Sequence, residues 1–290
     1  MADKVGIVLA VDYFLDEEDI DEDDEDILPH YFVNVIRRER STVFDCVHDF
    51  CDALCSVRNR IISWPDPQRQ QEISDHFEAE CQIPGIVGII DGSHITLTSV
   101  PNGDQDYINR KGYPSLQLQL IVDHILLITD SFVGWPGCTH DARVFRNSDI
   151  HDELENGILN PQFFIIGDSA YPLKPNLMTP FRDNGRLTVP KRHNRKLSTS
   201  RQSVERAIGL LKCRFRRLTS LPCLSVERAC KLITACCVLH NMCILSNDSV
   251  NDMLDDLPPY NYINNYGPLY ENAPLGVHFR NQIVQYLQTL

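Results

Sequence analysis

The sequence predicts an α/β fold in which a mixed sheet is flanked by helices. Residues 86–90 and 163–166 are runs of β-branched and aromatic residues typical of buried strands, and an aspartate follows each run closely. Between them, Ser115–Val122 alternates with the period of a strand. Apolar residues at helical spacing follow over 198–218 and 225–245. Strands that precede helices in this order favour one sheet covered by helices.

The remaining elements follow from residue spacing and from breaks in it. Trp64-Pro65-Asp66-Pro67 interrupts a helical pattern because proline ends a helix, and Asp123-His124 has the length of a hairpin connection. In chain order we expect helices over 31–62 and 67–80, a strand over 125–133, a helix over 140–154, a weak strand over 187–189 and a short amphipathic helix over 277–288.

Length and composition indicate one substantial domain. The 290 residues suffice for one α/β core with small appendages, and a hydrophobic fraction of 43% suits a soluble globular protein. No run of 18 or more apolar residues occurs, and the apolar segment 5–15 lacks the flanks of a secretory signal. We therefore expect an intracellular protein without a membrane span.

Charge is segregated along the chain. The net charge is −13, yet residues 16–26 hold ten acids and no base, whereas residues 186–217 hold eleven Lys or Arg and one acid, Glu205. Such segregation indicates a polyanion-binding face beside an acidic arm. The chain then divides into an acidic arm (1–30), a helical N-terminal segment (31–83), an α/β core (84–245) and a C-terminal tail (246–290).

One apolar segment near the C-terminus is rich in sulfur and imidazole. It contains Cys230, Cys236, Cys237, His240 and Cys243. Zinc ligation is one interpretation, but the segment has no paired CxxC and is apolar nearly throughout. We favour reduced, buried thiols that pack in the core.

Asp91 and Asp168 each follow a predicted strand and precede a small residue. Ligands of open α/β sheets gather beyond the carboxyl ends of the strands, so neighbouring strands would bring these two side chains together. Two carboxylates at such a short distance repel each other unless they share a proton or a cation. Oxygen ligands alone suit Mg²⁺ or Mn²⁺. The alternative is that both residues only cap loops.

A third acid lies on the basic helix predicted over 198–218. One stripe of that helix is apolar, and a second carries Arg201, Glu205, Gly209, Lys212 and Arg216. A solvated face would mix both signs of charge. Glu205 is therefore a candidate metal ligand beside phosphate-binding cations, and the alternative is a local ion pair with Arg201 at i−4.

Five motifs, in order between residues 41 and 245, resemble those of PIF/Harbinger transposases, a family that includes domesticated transposase-derived nucleases. They are IIDGSHI (89–95), WPGCTHDARV (135–144), GDSAYPL (167–173) with TPF (179–181), VERAIGLLKCRF (204–215) and LHN (239–241). The resemblance implies a ribonuclease H-like fold, to which this sequence adds a short helical N-terminal segment. It also implies a metal-dependent DNA endonuclease that uses a DDE triad.

The resemblance assigns roles to residues of this chain. Asp91, Asp168 and Glu205 would form the catalytic metal triad, with Asp141 as a fourth carboxylate ligand of Mg²⁺ or Mn²⁺. His94 and His140 would hydrogen-bond these carboxylates or assist proton transfer, and we favour hydrogen bonding. Basic residues would contact the DNA backbone, namely Lys191, Arg192, Arg195, Lys196, Arg201, Lys212 and Arg216.

Two further expectations concern partners and activity. Only about 60 residues lie between the acidic arm and Asp91, and Ser41 to Leu54 resembles just the last helix of the family's DNA-binding module. A separate Myb-like protein would then supply DNA recognition and entry into the nucleus. We expect the chain in the nucleus and also in the cytoplasm. An oligomer is compatible with the sequence. The alternative to an active nuclease is a catalytically silent protein that binds DNA or a partner.

Overall fold

The computed structural model describes residues 30–182, 190–222, 225–248 and 272–289, with side chains from residue 43 onward. The acidic arm through residue 29, the weak strand predicted over 187–189 and most of the predicted C-terminal tail lie outside the described residues.

The described chain contains helices and five strands, which follow one another in groups of two or three. The helices are α1 (His30–Ser56), α2 (Arg58–Ile61), α3 (Pro67–Cys81), α4 (Asp141–Arg146), α5 (Asp149–Glu155), α6 (Lys191–Arg214), α7 (Val226–Leu245) and α8 (Pro274–Thr289). The strands are β1 (Ile86–Thr96), β2 (Ser115–Val122), β3 (Ile128–Pro136), β4 (Phe164–Ile166) and β5 (Leu177–Met178). Short 3₁₀ turns precede β2 and follow α6.

The five strands form one mixed sheet in the order β3-β2-β1-β4-β5. β1, β2 and β3 are antiparallel neighbours, whereas β4 is parallel to β1 and β5 is parallel to β4. The sheet thus has three antiparallel strands followed by two parallel ones, and helices cover both of its faces. This is the expected ribonuclease H-like α/β arrangement, so the predicted fold class is confirmed.

Both faces of the sheet are covered by apolar side chains. Successive residues of a strand point to opposite faces, so Ile89 belongs to a large core and its neighbour Ile90 to a smaller one. The large core packs the sheet against α1, α3, α6, α7 and α8. The small core packs it against α4 and α5, through Phe145 and Ile150. The central strands are therefore shielded from water on both sides.

Several predicted boundaries differ from the structure. β1 continues through Asp91-Gly92 to Thr96 because β2 extends its ladder that far. The helix predicted over 140–154 is two short helices, since Asn147 and Ser148 have non-helical backbone angles. The helix predicted from residue 198 already begins at Lys191 and ends at Arg214.

The predicted C-terminal tail contributes a helix to the core. α8 contacts α6 and β5, and a Cβ added to Gly276 would lie 2.9 Å from the backbone of Lys174. The Arg280 guanidinium stacks 3.8 Å from the centre of the Phe181 ring and donates to the Thr179 carbonyl. The boundary placed at residue 245 therefore does not separate this helix from the domain.

α7 is a core helix that contains the sulfur-rich segment. In the part of the chain that the structure describes, it alone is long and apolar enough to cross a membrane by length and composition. It packs against α1 and β3, Cys237 is fully buried, and His240 hydrogen-bonds the Leu126 carbonyl through Nε2 at 3.1 Å. Packing therefore accounts for its apolar composition and for the burial of Cys236 and Cys237, whereas Cys230 and Cys243 are half-buried.

Asn241 on α7 joins three parts of the fold, and its replacement by leucine should be costly. Its Oδ1 accepts from the Ile128 amide at 2.9 Å, and its Nδ2 donates to the carbonyls of Ile128 and Ile61 at 2.7 and 3.1 Å. Leucine would leave these buried groups unpaired, so we expect the free energy of unfolding to fall by about 3 kcal/mol. Urea denaturation measures this, with exposed Asn156→Leu as the matched control, and equal stability of both variants would contradict the assignment.

Candidate active site

The register between β1 and β4 brings Asp91 and Asp168 together. Ile89 pairs with Ile166 in the parallel ladder, and each aspartate lies two residues beyond its paired isoleucine. Parallel neighbouring strands are about 4.8 Å apart, so equal offsets from one pair place the two aspartates side by side. The sheet thus delivers two carboxylates to one edge of the small parallel section.

Backbone amides orient both of these carboxylates. Asp91 Oδ1 accepts from the Gly92 amide at 3.0 Å, and Asp168 Oδ1 accepts from the Ala170 amide at 2.7 Å. Hydrogen bonds to an ionised carboxylate stabilise it and fix its direction. One oxygen of each group is held in this way, which directs the second oxygen to other partners.

Asp141 approaches the same point from the opposite face of the sheet. It is the first residue of α4, and a Cβ added to Gly92 would lie 2.5 Å from Asp141 Oδ1. Any side chain at position 92 would therefore displace the Asp141 carboxylate. Glycine at position 92 leaves the space that the Asp141 carboxylate occupies.

Gly92→Ala should impair the site without unfolding the protein. The added methyl group has to push Asp141 aside, and a ligand displaced by about 1 Å can cost about 100-fold in rate. We expect a loss of this order in the metal-dependent cleavage that the family resemblance implies, with the melting temperature nearly unchanged because one short side chain can rotate away. Nicking rates and circular dichroism melts measure both quantities. Full activity in this variant would show that Asp141 need not stay beside Gly92.

The three aspartates form a strongly coupled acidic group. Burial raises the pKa of Asp91 to about 8, the charge of Arg201 opposes this, and the charges of Asp168 and Asp141 raise it further. Burial and the Asp168 charge raise the pKa of Asp141 to about 7, and burial raises that of Asp168. Carboxylates buried together are costly unless a cation shares them.

Glu205 lies near this group but does not enter the pocket beside it. It is half-buried on α6, between Arg201 one turn before and Lys212 two turns after. Burial raises its pKa, and the nearby charge of Arg201 opposes the shift. The pocket of about 360 Å³ next to the aspartates is lined by Asp91, Asp141 and Asp168 but not by Glu205. Of the four carboxylates predicted to bind metal, three therefore line the pocket, and the fourth, Glu205, lies on the adjacent helix outside it.

Two cations predicted to contact DNA turn inward instead. Arg201 is only 5% exposed, and its Nη2 lies 3.8 Å from Asp91 Oδ2. Lys212 donates through Nζ to Ser93 Oγ and to the His94 carbonyl, both at 2.9 Å, and burial lowers its pKa to about 8. Both residues line the pocket, because the helix stripe that carries them faces β1 rather than solvent.

The other predicted DNA contacts differ in exposure. Arg192 is exposed and hydrogen-bonds the Leu287 carbonyl, so it ties α6 to α8, and its contact with DNA stays a prediction. Lys196 is half-buried. Lys191, Arg195 and Arg216 are exposed and available to a polyanion.

The two histidines have other partners than the expected carboxylates. His94 Nδ1 lies 3.0 Å from Ser115 Oγ, and burial lowers the pKa of His94 to about 4. His140 contacts the guanidinium of Arg110. Within the described residues neither imidazole hydrogen-bonds a carboxylate, so both line the pocket without the expected bond.

Sequence reasoning missed Arg110 and Lys111. Both are exposed in the connection between β1 and β2, and both line the pocket. That connection has no regular apolar spacing, and its only signal was two adjacent bases before a glycine. They add positive charge to the mouth of a pocket whose floor is acidic.

The donor set of the pocket fits a hard divalent cation. Three carboxylates supply oxygen ligands, and Mg²⁺ and Mn²⁺ prefer oxygen. No group of three or more His, Cys, Asp or Glu side chains in the described ranges is already drawn together around one point. Ligation by all three would therefore need side-chain rotation.

Comparison with known proteins gives consistent matches. Residues 90–241 match the family model described as "DDE superfamily endonuclease". Mouse and human proteins named "Putative nuclease HARBI1" are 32% and 31% identical over 206 residues, which cover 68% of this chain and 57% of each relative. "Protein ALP1-like" of Arabidopsis thaliana is 29% identical over 234 residues, covering 76% of this chain and 56% of that protein. The chain thus spans less than two thirds of these relatives, and no solved structure matches it.

Proposed function

Since this chain belongs to the DDE superfamily endonuclease family, we propose that it is a divalent-metal-dependent nuclease that hydrolyses phosphodiester bonds of DNA. One observation carries the proposal: Asp91, Asp168 and Asp141 come from three separate segments and line one pocket. Burying three ionised acids together destabilises a fold unless protons or a cation neutralise their charge, and such groups are common at functional sites. A divalent cation would supply that neutralisation.

The residues of the pocket have separate tasks in this reaction. Asp91, Asp168 and Asp141 would hold the cation, and Glu205, the fourth acid of the predicted set, lies on α6 outside the pocket. A bound divalent cation supplies charge neutralisation at the phosphate and a lowered pKa for an attacking water. Lys212 keeps its ammonium 2.9 Å from Ser93 Oγ and so fixes β1 against α6. The pocket thereby presents oxygen ligands on a rigid strand.

The rim of the pocket suits a polyanionic substrate. Arg110 and Lys111 are exposed and line the pocket, whereas Lys191, Arg195 and Arg216 are exposed on α6 and the turn after it and do not line the pocket. Cations around an acidic floor let phosphates approach the carboxylates, which would otherwise repel them. DNA is proposed over RNA on the strength of the family, and an RNA–DNA hybrid is the substrate to compare.

A plasmid-nicking assay tests the proposed function. The full chain should nick supercoiled DNA with Mg²⁺ or Mn²⁺ and not with EDTA, and Asp168→Asn should remove the activity. Asp130→Asn is the matched control, because Asp130 is a mostly buried aspartate beside Arg58 on the far part of the sheet. Equal nicking by wild type and Asp168→Asn would identify a contaminant, and a folded wild type that never nicks would favour a silent DNA- or partner-binding protein.

A further inference from the structure

We propose that Arg201 competes with the divalent cation for one oxygen of Asp91, so that Arg201 sets how tightly the site binds metal. The inference rests on the proposed function, because it concerns the same carboxylates. It assigns Arg201 a task different from contact with DNA.

The two oxygens of Asp91 have different surroundings. Oδ1 accepts the Gly92 amide at 3.0 Å, whereas Oδ2 faces Arg201 Nη2 at 3.8 Å. A cation ligated by this carboxylate must come within about 2.1 Å of an oxygen. Oδ2 is the oxygen that the backbone leaves available, and it is the one that the guanidinium faces. Metal and guanidinium therefore converge on the same atom.

Arg201 acts on more than one acid. Its positive charge opposes the upward pKa shifts of Asp91, Asp141, Asp168 and Glu205. Arg201 therefore acts electrostatically on all four carboxylates of the predicted metal set. At 5% exposure it is screened little by solvent. A fixed positive charge in the middle of the ligand group must repel an incoming dication.

Lys212 provides a matched comparison on the same helix face. It is also a mostly shielded cation that lines the pocket. Its ammonium, however, donates to Ser93 Oγ and the His94 carbonyl, so its charge is directed at neutral groups. Competition for Asp91 Oδ2 predicts a much larger effect of removing Arg201 than of removing Lys212.

Direct Mn²⁺ titration tests the competition without any nuclease readout. Electron paramagnetic resonance of free Mn²⁺ gives the dissociation constant for the full chain and its variants. Arg201→Met should bind Mn²⁺ about tenfold more tightly than wild type, Arg201→Lys should stay near wild type, and Lys212→Met should change the constant by less than about threefold. If Arg201→Met fails to fold, Arg201→Gln provides a second neutral substitution at the same position.

Distinct outcomes separate the two proposals. A folded neutral variant of Arg201 that binds Mn²⁺ equally or more weakly overturns the competition, because Arg201 would then be neutral toward metal or needed to position the ligands. An equal gain in Mn²⁺ affinity in Lys212→Met also overturns it, since any positive charge near the pocket would then weaken metal binding to the same extent. Absence of Mn²⁺ binding to wild type and to every variant instead overturns the proposed function.

Discussion

Asp91→Asn should abolish metal-dependent nicking and at the same time stabilise the metal-free protein at pH 8. The lost ligand removes charge stabilisation worth several kcal/mol in the transition state, so we expect nicking to fall by about 10³-fold. The gain in stability has a different origin. Burial raises the pKa of Asp91 to about 8 in the folded protein, far above its value in the unfolded chain.

The direction of the stability change follows from proton binding. A folded state that holds the proton more tightly than the unfolded state loses stability as the pH rises from about 4 to about 8. Asparagine does not ionise, so it carries no cost of burying a charge. At pH 8 we therefore expect the free energy of unfolding of the variant to exceed that of the wild type by on the order of 2–4 kcal/mol. The gain should vanish near pH 4. Urea denaturation at both pH values measures it, and a variant that is less stable at pH 8 would contradict the burial of a charged Asp91.

Stabilisation of the wild type by Mg²⁺ should grow with pH. Ligation needs ionised carboxylates, and burial raises the pKa of Asp91 to about 8 and that of Asp141 to about 7. Protons therefore compete with the metal below these values. A ligand at about a thousand times its dissociation constant stabilises a protein by about 4 kcal/mol, which is roughly 10 °C for a domain of this size.

Thermal melts with and without Mg²⁺ measure this linkage. We expect a rise of roughly 10 °C at pH 8.5 with saturating Mg²⁺ and less than about 2 °C at pH 5. NaCl of equal ionic strength controls for charge screening. A shift that is equal at both pH values, or that persists in the double variant Asp91→Asn with Asp141→Asn, would place metal binding elsewhere.

The sequence predicted the pairing of Asp91 and Asp168 for a sound reason. Both follow runs of β-branched or aromatic residues, and such runs form central strands because both faces are buried. The end of β1 was not predictable in the same way. Asp91-Gly92 looks like the end of a strand, but the partner β2 supplies ladder bonds as far as Thr96, and the sequence near residue 91 does not contain that information.

The helix stripe shows a second limit of sequence patterns. Arg201 and Lys212 do share the face of α6 that looks toward β1. Spacing identifies a shared face, but it does not say whether a phosphate or a carboxylate lies opposite that face. Arg201 was therefore assigned to DNA, whereas the fold places Asp91 in front of it. The first turns of α6 were missed because Lys191 to Lys196 has no apolar period.

The central claim is that Asp91 and Asp168 hold one divalent cation together. Anomalous diffraction from a crystal of the full chain soaked in Mn²⁺ tests it most directly. We predict a manganese peak that lies within about 2.3 Å of a carboxylate oxygen from each aspartate. A well-ordered crystal that shows no such peak at high Mn²⁺, or shows manganese bound only away from both residues, would contradict the account.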